Sequence, residues 1–232
     1  MDYVGTSLTY ARILANAINL PPLYSPMSDL TPDLTPEAWD NRYQTKTDRW
    51  DLGCPAPPFI HLLESPQAPK PGRIAVLGCG SGQDAMLFAA AGFDVVGFDF
   101  APSAIDRATA AAKNRDLKNI QFLQCNIFEL EPKFNNSFDY VLEHTCFCAI
   151  DPLLRLDYIQ TVKQLLRPNG TLIALFYTHN RSGGPPFGVK PKDVLAYFKA
   201  DFNAIAFRKA EDSIDKRNGE EHLGIFQVRS VN

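Results

Sequence analysis

Residues 73–99 read RIAVLGCGSGQDAMLFAAAGFDVVGFD, and this stretch decides the fold class. An apolar run, Arg73 to Leu77, leads into a turn carrying Gly78, Gly80 and Gly82. A helical stretch from Asp84 to Ala91 leads out, and Phe93 to Asp99 reads as a second strand ending in an acid. Strand, glycine turn, helix, strand, acid is the unit that holds an adenosine-bearing cofactor. Glycines let the backbone approach a ligand with no Cβ in the way. The helix N-terminus offers unpaired N–H groups. An acid at the tip of the second strand, Asp99, can accept both ribose hydroxyls.

Glycine spacing separates two cofactors. The dinucleotide pattern wants glycines at positions 1, 3 and 6 of the turn. Here position 6 is Gln83, and Gly82 sits at position 5. That spacing favours S-adenosylmethionine (SAM) over a nicotinamide cofactor. The plain alternative is an ordinary strand-to-helix turn of an α/β protein. Asp99 weighs against it, because it falls where a ribose acceptor belongs.

At 232 residues the chain suits one α/β domain, residues 36–232, behind an N-terminal extension of residues 1–35. A formal charge of -3 leaves no basic footprint, so no nucleic-acid partner is expected. No apolar run is long enough to span a membrane. The start, Met-Asp-Tyr-Val, lacks the basic region of a secretory signal, so a cytoplasmic location is expected. The five cysteines are an odd count without framework spacing, which favours reduced thiols. Cys146-Phe147-Cys148 is not a C-x-x-C pair, and on a strand both thiols would share a face. No histidine lies at ligand spacing, so no metal site is expected and small buried residues are the better reading.

Thr6 to Leu20 has helical periodicity and ends at Pro21-Pro22. Thr35 and Pro36 then read as the N-cap and first residue of a short helix through Trp39 and Tyr43. Another helix is expected over Pro58 to Glu64. Strands are expected near 73–77, 94–98, 120–124, 138–143 and 170–176, with helices near 82–91, 102–115, 152–166 and 191–199. This alternation predicts a Rossmann-like, mainly parallel sheet with helices on both faces. Phe202 to Arg208 and Leu223 to Arg229 have no helix between them and predict an antiparallel hairpin at the sheet edge.

In such a sheet, ligands bind beyond the carboxyl ends of the strands. That places Gly78, Gly80, Gly82, Asp99, Asn126, Glu143 to Thr145 and Tyr177 to His179 around one site. Asn126 can bond the adenine edge, since its amide donates and accepts, or it can simply begin a turn. Ile127 and Phe128 can sandwich the adenine or belong to the core.

Four stretches carry a resemblance. They are Trp39 to Tyr43 with Asp48 to Gly53, close to W-x3-W-x6-W-x2-G; Val76 to Asp84; Cys146 to Pro152 with Arg155, matching F-F-C-A-I-x-P-x2-R; and Gly183 to Phe187, with Asp212 to Ile214 and Leu223-Gly224. Together they resemble the thiopurine S-methyltransferase superfamily, most of all its thiol and halide methyltransferase branch, over all but residues 1–35. The resemblance implies a seven-stranded SAM-dependent methyltransferase fold closed by the antiparallel hairpin. It implies that Trp39, Trp50, Gly78, Asp99, Asn126 and His144 contact SAM, with Tyr43 in place of a tryptophan, Asn126 in place of an aspartate and His144 in place of tyrosine or arginine. Asp84, inside the second stretch, joins the cofactor-binding set.

The two tryptophans are either core anchors or an aromatic lid that attracts a sulfonium and excludes water. Methyl transfer needs alignment and dehydration of the nucleophile more than a catalytic triad, and none is evident. Tyr177, His179 and Arg155 are the candidates for orienting or deprotonating the acceptor. Each has a plainer role: a strand-capping tyrosine, a solvated loop histidine, and an arginine anchoring its helix through an ion pair. The expected reaction moves the SAM methyl to a thiol, hydrosulfide or halide, leaving S-adenosylhomocysteine. The alternatives are a thiopurine or a selenium or tellurium compound as acceptor, a SAM-binding protein without activity, and a nicotinamide oxidoreductase. The small-molecule acceptor is the only partner expected; a monomer is expected, with a dimer left open. Residues 1–35 and the loop Thr178 to Lys190 are expected to cover the site.

Overall fold

Thr35 accepts the Ala38 amide at 3.3 Å, and Pro36 opens helix α1, Pro36–Gln44. The computed structural model describes residues 34–229. The helix expected over Thr6 to Leu20 lies outside the described residues. After α1 come α2 (Pro57–Glu64), β1 (Arg73–Leu77), α3 (Gln83–Ala90), β2 (Asp94–Asp99), α4 (Pro102–Asn114) and β3 (Ile120–Gln124). The second half holds β4 (Phe138–Glu143), α5 (Arg155–Leu165), β5 (Leu166–Tyr177), α6 (Pro191–Phe198), β6 (Phe202–Lys209) and β7 (Glu221–Val228).

The seven strands form one sheet in the order β3-β2-β1-β4-β5-β7-β6. β1 to β5 pair in parallel, while β7 runs antiparallel to both β5 and β6. Alternation along β1 shows how the sheet divides its core. Ile74 and Val76 join Phe59, Phe88 and Leu62 on the face covered by α2 and α3. Ala75 and Leu77 join Tyr158, Val162, Val194 and Phe198 on the face covered by α5 and α6.

Cys146 and Cys148 sit on a turn after β4, beyond the expected end of that strand, and one expectation needs correction. The β4–β5 pairing begins at Phe138 with Leu166, four residues before the expected strand, and shifts register before Tyr140 meets Thr171. Pro168-Asn169-Gly170 is therefore an irregularity inside β5, with Asn169 at φ 64°, and not the loop before it.

Helix α1 is fixed over the carboxyl ends of the strands by α4. Asp40 accepts the Ser103 amide at 2.7 Å, satisfying a free N–H at the start of α4. Arg107 pairs with Asp48 at 2.7 Å and also bonds the Tyr43 carbonyl. This docking sets the aromatic residues of α1 above the glycine turn.

Candidate active site

The carboxyl ends of β1, β2, β4 and β5 open into a cavity of about 1370 Å³. Trp39, Tyr43 and Trp50 form its aromatic wall. Trp50 meets Trp39 edge-on at 4.9 Å and Tyr43 at 5.5 Å, and its Nε1 donates to the Tyr43 hydroxyl at 3.1 Å. Trp39 and Trp50 are half-buried, each packed edge-on against a neighbouring ring while facing the cavity.

Gly78 also lines the cavity, at φ 60°, where a Cβ would stand 3.0 Å from the Cys146 sulfur. A side chain there would push into both the cavity and Cys146. Gly80 and Gly82 do not line the cavity. A Cβ at Gly80 would press on the Tyr43 hydroxyl, and one at Gly82 on Phe122 and Ala108. Asp99 lines the cavity and is 6% exposed. Its Oδ2 accepts the Gly80 amide and its Oδ1 the Ala101 amide, both at 2.9 Å. Burial raises the carboxyl pKa, and these backbone donors oppose the rise. The acid thus staples the glycine turn to β2, and each oxygen keeps a lone pair for another donor.

Asn126 and Ile127 also line the cavity. Asn126 caps a short 3-10 turn, accepting the Phe128 amide at 3.1 Å and donating to Glu129 at 3.3 Å. Its amide is committed first to turn chemistry. Thr145, which the sequence placed beyond the end of the fourth strand, lines the cavity at φ 109°. For a β-branched residue that is a strained conformation. Buried Glu143 sustains the turn beneath it, accepting the Phe147 amide at 3.0 Å and the Tyr158 hydroxyl at 2.7 Å.

Asp84 and His144 fall behind the wall and do not line the cavity. His144 Nδ1 lies 2.7 Å from Asp84 Oδ2, and its Nε2 lies 2.9 Å from Arg217 Nη1 and 3.5 Å from Glu221 Oε1. Burial by itself lowers the imidazole pKa; Asp84 and Glu221 overcome it and raise the value to about 9. Neutral, Nε2 would accept from the guanidinium. Protonated, Nε2 has Glu221 at 3.5 Å as its acceptor, since Arg217 Nη1 at 2.9 Å is itself a donor, and the imidazolium then balances two carboxylates with two cations.

The three acceptor-side candidates separate. Tyr177 lines the cavity, but its hydroxyl donates to Glu220 and accepts from Arg181, each at 2.8 Å. His179 is buried, not solvated, and does not line the cavity; its Nδ1 accepts the Arg181 amide at 3.3 Å, and burial lowers its pKa. Arg155 is 4% exposed and holds the Phe187 and Gly188 carbonyls at 3.2 Å. It anchors a loop through carbonyls and the rings of Phe147 and Tyr197, not through an ion pair.

Four cysteines, Cys54, Cys125, Cys146 and Cys148, line the cavity. Burial pushes Cys125 up to about 11 and Cys148 to about 12, with Cys146 well above its ordinary value. The thiols of Cys125, Cys146 and Cys148 stay protonated near neutrality and are poor competitors for an electrophile. Among the described residues no group of three or more His, Cys, Asp or Glu side chains is placed to hold a metal ion. No helix there is long and apolar enough to cross a membrane. Arg217 lines the cavity and was missed by sequence reading, because it sits in the polar loop before β7; the charge density of Glu211 to Glu221 was its one signal.

The family model for thiopurine S-methyltransferase matches residues 34–231. The chain is 34% identical over 196 residues to a probable thiol methyltransferase 2 of Arabidopsis thaliana, covering 83% of this chain and 85% of that one. It is 33% identical over 191 residues to thiocyanate methyltransferase 1 of Brassica oleracea, covering 80% and 82%. The solved Burkholderia thailandensis 1,6-didemethyltoxoflavin-N1-methyltransferase, with S-adenosylhomocysteine bound, shares the fold at a TM-score of 0.71 and 17% identity over 90% of this chain and 94% of that one. The fold and these relatives define a SAM-dependent methyltransferase. More narrowly, the chain belongs to the thiopurine S-methyltransferase family.

Proposed function

We propose that this enzyme transfers the SAM methyl group to a small soft nucleophile, a thiol, hydrosulfide or halide, inside the cavity above Gly78. The observation that carries this reading is the joint presence of an aromatic wall and a side-chain-free turn on one cavity. Trp39, Tyr43 and Trp50 offer ring faces and edges to a sulfonium, and Gly78 leaves room for the donor's backbone contacts. Asp99 is the ribose acceptor in this reading, and Asn126 and Ile127 flank the adenine. When bound, SAM supplies an electrophilic methyl group. The chain supplies a dehydrated, aligned pocket, and the raised thiols of Cys125, Cys146 and Cys148 do not divert the methyl group. Asp84 and His144 act from behind the wall, and Gly80 and Gly82 shape the turn. Tyr177 orients the acceptor while its hydroxyl is shared by Glu220 and Arg181. His179 and Arg155 support the loop beside it.

The names of the thiol and thiocyanate relatives support a sulfur acceptor. The low net charge of -3 supports a free small molecule over nucleic acid. We place the enzyme in the cytoplasm as a monomer, with residues 36–232 as the catalytic domain and residues 1–35 as its cover. A second reading, a bulkier thiopurine acceptor, is favoured by cavity size alone, since ligand pockets usually span about 300–1,000 Å³.

SAM consumption measured with iodide, hydrosulfide, small thiols, a thiopurine and selenite tests the choice, beside calorimetry with S-adenosylhomocysteine. Turnover on the thiols, hydrosulfide or iodide supports the first reading. Turnover on the thiopurine alone hands the site to the second. Absence of binding heat in folded protein ends both. Tyr177→Phe is expected to lower turnover while leaving donor affinity unchanged.

A further inference from the structure

Asp84, His144 and the neighbouring pair Arg217 and Glu221 come from three places in the chain and meet behind the cavity wall. Their side chains are 16%, 8%, 10% and 3% exposed. The cluster grips both ends of one short segment. Arg217 Nη2 donates to the Trp50 carbonyl at 3.0 Å, and Asp84 Oδ1 accepts the Ala56 amide at 2.7 Å. Between those ends, Asp51, Leu52 and Cys54 line the cavity. Burying four ionisable groups to hold one loop is expensive, and an apolar contact would hold it with less penalty. What the charges add is direction: each end of the loop is fixed by a hydrogen bond of defined geometry.

We propose that His144 and Arg217 are positioning residues for the methyl-donor site. Together with Asp84 and Glu221 they clamp the Trp50–Ala56 segment and thereby fix the aromatic wall. The proposal rests on reading this cavity as the donor site. His144 lies behind the wall and acts only through its neighbours. Glu221 holds Arg217 at 3.2 Å, so the guanidinium reaches Trp50 from a fixed base. Arg217 faces the cavity too, and a direct contact with the acceptor is the competing role that the experiment separates.

Trp39 and Trp50 are the two tryptophans of the chain, so intrinsic fluorescence reports the wall itself. Arg217→Lys and His144→Asn are expected to increase acrylamide quenching before any ligand is added. Both are expected to weaken S-adenosylhomocysteine binding about tenfold, the scale of one lost charged hydrogen bond. KM for SAM rises, while kcat at saturating SAM and KM for the acceptor stay near wild type. Glu221→Gln keeps an acceptor oxygen for Arg217 and gives a smaller change in the same direction; it replaces either variant that does not fold. Unchanged quenching and donor affinity in folded variants overturn the proposal. So does a raised acceptor KM with unchanged quenching, which makes Arg217 an acceptor contact. Wild-type protein that binds no S-adenosylhomocysteine refutes the donor-site reading instead, and the ligand-free quenching still decides the clamp.

Discussion

At the residue scale, three glycines that look alike in sequence have three different duties. Gly78 clears the cavity, Gly80 clears the Tyr43 hydroxyl, and Gly82 clears Phe122 at 2.7 Å. Substitution separates them. Gly78→Ala meets a positive φ and the Cys146 sulfur, so it should destabilise the fold by about 1–2 kcal/mol for the backbone term and weaken donor binding besides. Gly82→Ala meets a positive φ and the Phe122 ring packed against the core, so it should lower the melting temperature and leave donor affinity in the surviving folded fraction intact. Combining Gly78→Ala with Cys146→Ala relieves the collision but not the backbone strain, and a double-mutant cycle measures the difference. Equal loss of donor affinity in both single variants would count against this division. The motif was legible because glycine spacing is a local property. Its division of labour was not, because Tyr43, Phe122 and Cys146 reach the turn from distant parts of the chain. Asp99 was legible as an acid at a strand tip, while its bonds to Gly80 and Ala101 were visible only in three dimensions.

At the element scale, the strands were legible because buried parallel strands are near-continuous apolar runs. The β6–β7 hairpin was legible because no helix separates its strands. The fourth strand ends at Glu143, as expected, and there a buried carboxylate accepts the Phe147 amide and shapes the turn that carries Cys146. The segment after β5 gives the sharpest element-level expectation. Buried Arg155 holds the Phe187 and Gly188 carbonyls and has no carboxylate within salt-bridge distance among the described residues. Arg155→Met removes both bonds while keeping an unbranched apolar stem. Proteolysis between residues 180 and 190 should accelerate, and stability should fall by about 1–3 kcal/mol for the carbonyls left without donors. Arg155→Lys should restore the loop only in part, because one ammonium can still donate to both carbonyls, as Nη2 does, but loses the planar guanidinium's packing over Phe147 and Tyr197. A cleavage rate unchanged in Arg155→Met would remove the guanidinium from this role.

At the scale of the whole molecule, the buried charge cluster behind the cavity also shapes stability against pH. Burial depresses the His144 pKa, but Asp84 and Glu221 raise it from the ordinary 6.5 to about 9. A group whose pKa is raised by folding gives its full stabilisation below its unfolded value. Stability from His144 is therefore complete below 6.5 and lost as pH rises through about 9. Glu221 has the opposite sign: burial works against the carboxylate, yet His144, Ser213 and Arg217 hold its pKa below the ordinary 4.5. Its contribution is present above 4.5 and lost as pH falls through the lower folded value. Asp139 behaves the same way, its pKa lowered against burial by the Arg73 amide and Arg167. The melting temperature should thus peak in weakly acidic solution and fall on both sides. Melting curves from acid to alkaline pH check the assignment through two variants. His144→Asn should flatten the alkaline limb, because the titrating imidazole is gone. Arg167→Gln should shrink only the acid limb, because Asp139 then loses the cation that held it ionised. An alkaline limb of undiminished slope in His144→Asn would assign that titration to other groups and leave His144 neutral, accepting from Arg217 across the 2.9 Å contact.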